Sequence, residues 1–334
     1  MLRPRMDVVI PVFNEQEIIE LLHRRVTLAC ERTKLDYCII YVDDGSTDQT
    51  VDWLVANAIN ATDLRGSVQL IRLSRNFGQP AAIMAGLQAS RAEVVILMDG
   101  DLQDPPELIP QLIDRWRAGD EIVIAQRTSR DETFFRGLAF KAFHSLFRYL
   151  ADSKIPPNTG TFCLLNRTAV EAIGSLPESH RFFPGLRAWV GFRQSNLLFQ
   201  RPPRAGGQPK QTFSRLFRYA LDAVFGYSLK PLRVLTGSGV LICSAAFAMM
   251  IWFIFKRLIG WESASMGFTT LTCAVFGLGG FQLVGLGILG EYIGRIYDEV
   301  KGRPAFIVSQ EIRSVNNSRE LTSDVRGVVR RKAG

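Results

Sequence analysis

Three short polar motifs follow apolar runs that are typical of buried strands: PVFNE at residues 11–15, DDGS at 43–46 and DGD at 99–101. Residues i and i+2 of an extended chain point to the same side, so Asp99 and Asp101 can approach one another. Two neighbouring carboxylates repel, and a divalent cation relieves that repulsion. A hard cation such as Mg²⁺ or Mn²⁺ takes one or two carboxylates and completes its coordination with phosphate oxygens. The DGD motif therefore predicts a metal-assisted site for a phosphorylated substrate, with a solvated turn as the alternative.

The elements that would position these motifs alternate along the first half of the chain. The predicted strands are Met6–Val12, Tyr37–Val42, Val68–Leu73, Glu93–Met98 and Glu121–Ala125. The predicted helices are Glu17–Thr33, Gln49–Ala58, Pro80–Ser90 and Pro106–Ala118. This βαβ alternation predicts a mostly parallel sheet with helices on both faces. Ligands in such sheets bind beyond the carboxyl ends of the strands, which is where all three motifs fall.

Two later stretches carry no charged residue, Leu235–Phe255 and Ser263–Gly290. Each is long enough to cross a hydrocarbon core of roughly 30 Å as a helix, and the short loop between them favours a transmembrane hairpin over two buried core helices. Basic residues flank the hairpin more densely than they occupy its loop. The flanking residues are Arg215, Arg218, Lys230, Arg233, Arg295, Lys301, Arg303 and Arg313, against Lys256 and Arg257 in the loop. This bias predicts that both termini lie in the cytoplasm.

Two basic amphipathic stretches, Asp131–Ala151 and Thr212–Leu229, predict helices that lie in a membrane interface, with helices packed on the domain core as the alternative. After the second apolar stretch, the short run Ala305–Val308 predicts one further strand.

The composition narrows the class of partner. A net charge of +8 suits an anionic membrane surface and anionic substrates, and the chain shows no nucleic-acid-binding motif. The five cysteines lack CxxC spacing and are expected to be free thiols. The three histidines lie far apart, which argues against a histidine-based metal site.

The ordered motifs of the chain resemble those of glycosyltransferase family 2, which has the GT-A fold. The segments are PVFNE, DDGS, SRNFGQPAAIMAG, DGDLQDPPE, RFFPGLRAWVGFRQ and GLGILGEYIGRIYDEVKGRP. More narrowly, they resemble the bacterial polyprenyl-phosphate sugar transferases related to dolichol-phosphate mannose synthase. The resemblance extends over about residues 6–310.

The resemblance implies roles for individual residues. Those implied to line the nucleotide are Pro11, Asn14, Glu15, Asp43, Asp44 and Asp99. Asp99, Asp101 and Gln103 match the positions around a metal ion, Mg²⁺ or Mn²⁺. Arg127 and Arg136 match positions near the phosphates and, with Asp99 and Asp101, form the implied catalytic set. A loop that closes over the anionic donor and acceptor is implied to contain Arg201, Arg204, Gln208 and Lys210.

One short segment departs from the family pattern. Relatives often read NTGDFRL where residues 158–164 read NTGTFCL, so that Thr161 replaces an aspartate and Cys163 replaces an arginine. That aspartate has a claim to be the base or an acceptor-site group. Its loss leaves open a changed acceptor, a slow enzyme or a pseudoenzyme.

The sequence thus predicts an α/β protein with a Rossmann-like, mostly parallel GT-A catalytic domain followed by a two-helix transmembrane hairpin. The boundaries are 1–211 for the catalytic domain, 212–231 for an interfacial helix, 232–291 for the hairpin and 292–334 for a basic tail. The implied reaction is metal-dependent, inverting transfer of a sugar from a nucleotide donor, first UDP-glucose, to undecaprenyl phosphate. The expected location is the bacterial inner membrane, with the catalytic domain in the cytoplasm.

Two other functions stay open. A non-catalytic membrane scaffold is favoured by Thr161 and Cys163, but the intact DGD motif and the basic loop favour an enzyme. A processive polysaccharide synthase would normally carry a QxxRW-like motif and more spans, and neither is visible. The sequence also leaves open whether the chain forms a homo-oligomer.

Overall fold

The fold is described from a computed structural model that covers residues 5–60, 66–127, 159–176, 178, 183–199, 230–259 and 267–314. The chain divides into two compact units. The first contains a β-sheet and the helices that cover it, and the second contains two long helices.

The described residues of the first unit form an eight-stranded sheet in the order β7-β5-β6-β4-β1-β2-β3-β8. The strands are β1 (Arg5–Val12), β2 (Asp36–Asp43), β3 (Ser67–Leu73), β4 (Val94–Leu97), β5 (Ile122–Arg127), β6 (Thr159–Asn166), β7 (Gln194–Phe199) and β8 (Val308–Arg313). Strands β4, β1, β2 and β3 run parallel, as do β5 and β7, whereas β6 and β8 are antiparallel to their neighbours. The predicted α/β architecture with a mostly parallel sheet is therefore confirmed.

Helices cover both faces of this sheet. They are α1 (Ile19–Arg32), α2 (Thr50–Trp53), which continues as the π-helical turn Leu54–Ile59, α3 (Gln79–Ala89), α4 (Ile109–Arg117) after a 3₁₀ turn, α5 (Arg167–Ser175) and α6 (Phe183–Trp189). Alternate residues of each central strand enter two separate apolar cores, because successive side chains of a strand point to opposite faces. In β1, Val8 and Ile10 pack in the core beneath α1 and α4, and Val9 packs in the core beneath α3 and α5.

The strand predicted over Ala305–Val308 is misplaced. The structure has its strand at Val308–Arg313, where β8 pairs antiparallel with β3. The prediction followed the apolar residues 305–307, which are more apolar than the observed strand. Because β8 is an edge strand and much of it is solvent-exposed, polar side chains are tolerated there. The segment predicted as a tail thus contains a strand of the sheet.

The second unit contains α7 (Lys230–Leu258) and α8 (Gly267–Val300). These helices include nearly all of the two charge-free stretches. Among the residues that the structure describes, no helix is both long enough and apolar enough to cross a membrane. The predicted interfacial stretches Asp131–Ala151 and Thr212–Leu229 lie outside the described residues.

Candidate active site

Two loops at the carboxyl ends of β1 and β2 are tied together by side chains. The backbone N–H of Asn14 donates to Ser46 Oγ at 3.0 Å, and Asn14 Oδ1 accepts from the N–H of Thr47 at 2.8 Å. The N–H of Glu15 donates to Thr50 Oγ1 at 2.9 Å. Asn14 has a φ of 54°, a left-handed conformation that asparagine tolerates better than most residues. The PVFNE and DDGS motifs therefore form one connected edge of the site.

Asp44 holds the turn that leads into α3. Its Oδ1 accepts from the N–H of Phe77 at 2.7 Å, and its Oδ2 accepts from the N–H of Gly78 at 2.9 Å. Burial raises the pKa of Asp44, and the two backbone donors oppose that rise. A side chain at Gly45 would meet the backbone carbon of Arg75 at 2.7 Å, so the motif needs glycine at its third position.

Asp43 is fully buried at the end of β2, and its carboxylate also has partners within the protein. Oδ1 accepts from the N–H of Ser46 at 3.0 Å, and Oδ2 lies 3.4 Å from Nε of Arg72. Both aspartates of the DDGS motif thus shape the loops of the candidate nucleotide site. A direct contact of either carboxylate with a nucleotide stays a prediction.

The DGD motif lies where β4 ends, beside the end of β1. A side chain at Gly100 would approach the carbonyl oxygen of Pro11 at 3.0 Å, which explains the small central residue. Asp101 Oδ1 accepts from the N–H of Gln103 at 3.1 Å, and Leu102 between them has a φ of 58°. This tight turn brings the side chains of the motif and of Gln103 to one edge.

Asp99 receives two donors on a single oxygen. Thr161 Oγ1 donates to Asp99 Oδ1 at 2.6 Å, and Gln79 Nε2 donates to the same oxygen at 2.8 Å. The pKa of Asp99 is raised to about 6, chiefly by burial and also by the charges of Asp104 and Asp101, while Thr161 and Arg127 oppose the rise. A bound cation would oppose this rise, because a nearby positive charge favours the ionised form of the buried carboxyl.

Asp104 is a functional candidate whose role no sequence pattern indicated. Its side chain is 1% exposed, and its Oδ1 accepts from Arg127 Nη2 at 3.2 Å. Burial raises the pKa of Asp104, and Arg127 opposes that rise. The sequence offered one signal, an acid three residues after the DGD motif. Asp99, Asp101 and Asp104 together form an acidic edge, and Arg127, at the end of β5, lies against it through its ion pair with Asp104. The predicted position of Arg127 near the phosphates stays a prediction.

The residues around the DGD motif fit a hard divalent cation in their donor chemistry. Among the described residues, no group of three or more His, Cys, Asp or Glu side chains is arranged as a complete metal site. However, Gln103 Oε1 and Asp104 Oδ2 are buried oxygens that accept no hydrogen bond from any described residue. Asp99, Asp101 and Gln103 offer oxygen ligands only, and a cation that keeps substrate phosphates in its shell needs few from the protein.

Strand β6 carries the two residues that depart from the family pattern, and a buried arginine lies behind them. Cys163 is free and fully buried, opposite Leu97 of β4. Burial raises the pKa of its thiol, and the charge of Arg187 opposes the rise. Arg187, on α6, is 1% exposed and donates from Nη1 to the carbonyl oxygen of Gly160 at 3.2 Å. Arg187 lies in the segment RFFPGLRAWVGFRQ that contributes to the family resemblance, but the sequence assigned it no role, because its role depends on the packing of α6 against β6.

Several predicted site residues lie outside the described residues of the structure: Arg136, Arg201, Arg204, Gln208 and Lys210. The described part of the site combines an acidic edge with one adjacent arginine and two joined loops. Such an arrangement can bind a cation together with an anionic, phosphorylated ligand.

Comparison with known proteins gives consistent matches. The profile of the family described as glycosyl transferase family 2 matches residues 7–174. An uncharacterized glycosyltransferase of Synechocystis is 42% identical over 306 residues, covering 91% of this chain and 94% of the relative. The SfII prophage-derived bactoprenol glucosyl transferase of Shigella flexneri is 37% identical over 311 residues, covering 92% and 99%. A crystal structure of glucosyl-3-phosphoglycerate synthase from Mycobacterium tuberculosis aligns with a TM-score of 0.43 and 18% identity, covering 67% and 78%.

Proposed function

The chain belongs to glycosyltransferase family 2 and has an α/β fold of the GT-A type; on that premise we propose that it transfers glucose from UDP-glucose to a polyprenyl phosphate in a membrane. The observation that carries the proposal is the acidic edge formed by Asp99, Asp101 and Asp104, with Arg127 bonded to it. The long match to a relative described as a bactoprenol glucosyl transferase supports the choice of sugar and lipid.

The chemistry needs little beyond positioning and charge neutralisation. A phosphate monoester has a second pKa near ~6, so the lipid phosphate is largely a dianion at pH 7 and needs no general base. One of its oxygens forms a bond to the anomeric carbon as the bond to the donor diphosphate breaks. The diphosphate leaves with the electron pair, and the anomeric centre inverts.

The protein groups divide this work between them. Asp99, Asp101 and Gln103 would hold a Mg²⁺ or Mn²⁺ ion, which supplies neutralisation of the charge on the leaving diphosphate. Arg127, held at the acidic edge by Asp104, would stabilise that charge as it develops. The joined loops around Asn14 and Asp44 orient the nucleotide.

We also propose that α7 and α8 anchor the protein in the bacterial inner membrane, with the catalytic unit and both termini in the cytoplasm. The charge-free stretches 235–255 and 263–290 and the flanking basic residues support this arrangement. A lipid phosphate would then reach the site from the membrane plane. The proposed catalytic domain is 1–211 together with β8 from the segment 292–334, and the proposed interfacial helix and hairpin are 212–231 and 232–291.

The reaction is tested directly by a panel of donors. Purified full-length protein incubated with undecaprenyl phosphate and Mn²⁺ is expected to form a hexosyl lipid from UDP-glucose, identified by mass spectrometry. UDP-galactose, UDP-N-acetylglucosamine and GDP-mannose serve as competing donors, and undecaprenol without its phosphate serves as the acceptor control. If no donor yields a glycolipid, the non-catalytic scaffold is the better interpretation, and a growing polysaccharide would identify a synthase.

The membrane arrangement has its own test. Reporter domains fused before Met1 and after Gly334 are expected to signal a cytoplasmic location. A reporter inserted at Trp261 is expected to signal a periplasmic location. This expectation follows from the excess of basic residues outside the hairpin. A cytoplasmic signal from the Trp261 insertion would contradict the hairpin.

A further inference from the structure

We propose that Thr161 is a positioning residue for the transfer reaction: its hydroxyl, together with Gln79, holds one oxygen of Asp99 and so leaves the other oxygen to face the cation that would bind the diphosphate. The inference rests on the proposed function and adds to it a specific task for a residue that carries no charge.

The first support is the convergence of two donors on one atom. The 2.6 Å distance from Thr161 Oγ1 to Asp99 Oδ1 is within the short range of hydroxyl donors to ionised carboxylates. Gln79 Nε2 reaches the same oxygen at 2.8 Å from the start of α3. No described residue donates a hydrogen bond to Asp99 Oδ2. The carboxylate therefore has one oxygen committed to the protein and one available to a ligand.

The second support is the strand register that brings Thr161 to Asp99. Strand β6 pairs antiparallel with β4, with Leu164 opposite Ile96 and Cys163 opposite Leu97. The same register, continued two residues further, places Thr161 opposite Asp99. Thr161 is thus held by a strand of the sheet, and Asp99 lies in the short segment that directly follows β4.

The backbone next to Thr161 is held by one hydrogen bond and passes close to a second arginine. Arg187 donates to the carbonyl oxygen of Gly160 at 3.2 Å. A side chain at Gly160 would meet Arg127 Nη2 at 3.4 Å, so the strand passes close to the arginine that pairs with Asp104. The hydrogen bond from Arg187 fixes the backbone beside Thr161 and so helps to place the Thr161 hydroxyl against Asp99.

The charge balance of the edge explains why a neutral donor suits this position. Asp99 already lies near the charges of Asp101 and Asp104. A hydroxyl stabilises the ionised form of Asp99 by donating a hydrogen bond, and it adds no further negative charge. The side chain of Thr161 is only partly buried, so its hydroxyl contributes to the site more than to the core.

The experiment compares Thr161→Val, which removes the hydroxyl and keeps the shape, with Thr161→Ser, which keeps the hydroxyl. Titration calorimetry measures the affinity of the full-length protein for UDP in the presence and absence of Mn²⁺. Thr161→Val is expected to weaken Mn²⁺-dependent UDP binding about tenfold, as for loss of one hydrogen bond to a charged group. Thr161→Ser, which keeps the hydroxyl, is expected to retain most of the affinity of the unmodified protein for UDP.

The matched control is Thr27→Val on α1. Thr27 Oγ1 is buried and neither accepts nor donates a hydrogen bond among the described residues. The same substitution there therefore removes no hydrogen bond. Thr27→Val is expected to leave UDP binding and transfer unchanged. In transfer assays, Thr161→Val should lower kcat and raise the Mn²⁺ concentration needed for half-maximal rate.

The outcomes separate the inference from the function beneath it. If the unmodified protein binds UDP with Mn²⁺ and Thr161→Val binds it equally well, the positioning role is refuted and the proposed function is untouched. Equal defects in Thr161→Ser and Thr161→Val would also refute it, because the hydroxyl would then not be the active group. If the unmodified protein shows no Mn²⁺-dependent UDP binding, the metal site of the proposed function fails, and this inference fails with it.

Discussion

Asp101→Asn is expected to reduce glucose transfer by about 10³-fold, because the change removes a negative charge from the edge that would hold the cation, and metal assistance contributes several kcal/mol. The fold should survive. Asparagine retains an Oδ1 atom that can accept from the N–H of Gln103, as Asp101 does at 3.1 Å, so the turn through Leu102 is preserved. The thermal unfolding temperature is therefore expected to stay close to that of the unmodified protein.

Chelation provides the parallel result. EDTA is expected to abolish transfer by the unmodified protein, and excess Mg²⁺ or Mn²⁺ should restore it, whereas neither ion should rescue Asp101→Asn fully. Asp114→Asn is the matched control, because Asp114 is an exposed carboxylate on α4 whose one ion pair among the described residues is with Arg117, one turn on. Full activity in EDTA would contradict the assignment of Asp99, Asp101 and Gln103 as metal ligands.

Arg127→Met is expected to lower both activity and stability, for two different reasons. The activity is expected to fall by about 10²-fold or more, because the guanidinium proposed to stabilise the leaving diphosphate is lost. The stability falls because Asp104, 1% exposed, loses its counter-charge. Breaking a buried ion pair costs about 3–5 kcal/mol of stability. The Arg127 side chain is 28% exposed, so the loss of stability in Arg127→Met is expected to lie at or below the lower end of that range.

A second substitution separates the two effects. Asp104→Asn in the Arg127→Met background removes the stranded charge, so the unfolding temperature should recover while the transfer rate stays low. The comparison requires thermal unfolding and transfer assays on the two single variants and the double variant. Recovery of transfer in the double variant would mean that Arg127 acts only as the counter-ion of Asp104.

The pH dependence of Arg127→Met follows from the same buried acid. Burial already raises the pKa of Asp104, and without Arg127 its pKa rises further above the unfolded value. A raised acid pKa means that the folded state binds the proton more tightly than the unfolded state, so the contribution of Asp104 to stability is most favourable at low pH and is lost as the pH rises through the raised pKa. The loss of stability relative to the unmodified protein is therefore expected to be larger at pH 8 than at pH 5.

The central strands could be predicted from the sequence because their signal is local. Runs such as YCIIYV are buried on both faces, and the observed β2 extends the prediction by one residue at each end. The DGD and DDGS motifs could be predicted to lie at the same edge because parallel strands align their carboxyl ends.

The contacts of Thr161, Asp104 and Arg187 depend on features that no local pattern shows. Strand β6 inserts between β4 and β5, which are consecutive in the alternating part of the chain. That insertion, rather than any feature of residues 158–164, places Thr161 beside Asp99. Asp104 and Arg187 are charged side chains buried by tertiary packing, and sequence patterns alone place such residues at the surface by default.

The position of β8 has a consequence for how the protein is made. The partner of β3 is synthesised only after both long helices, since β8 spans Val308–Arg313 and α8 ends at Val300. Until then the edge of β3 has unpaired backbone groups, which are a template for pairing with other chains. Chains fold from the N-terminus during synthesis, so the ribosome must deliver both helices before the catalytic sheet can be completed. Completion of this enzyme's sheet is thereby ordered after the synthesis of its proposed membrane anchor, and a nascent chain that stalls before residue 308 keeps an open, association-prone edge.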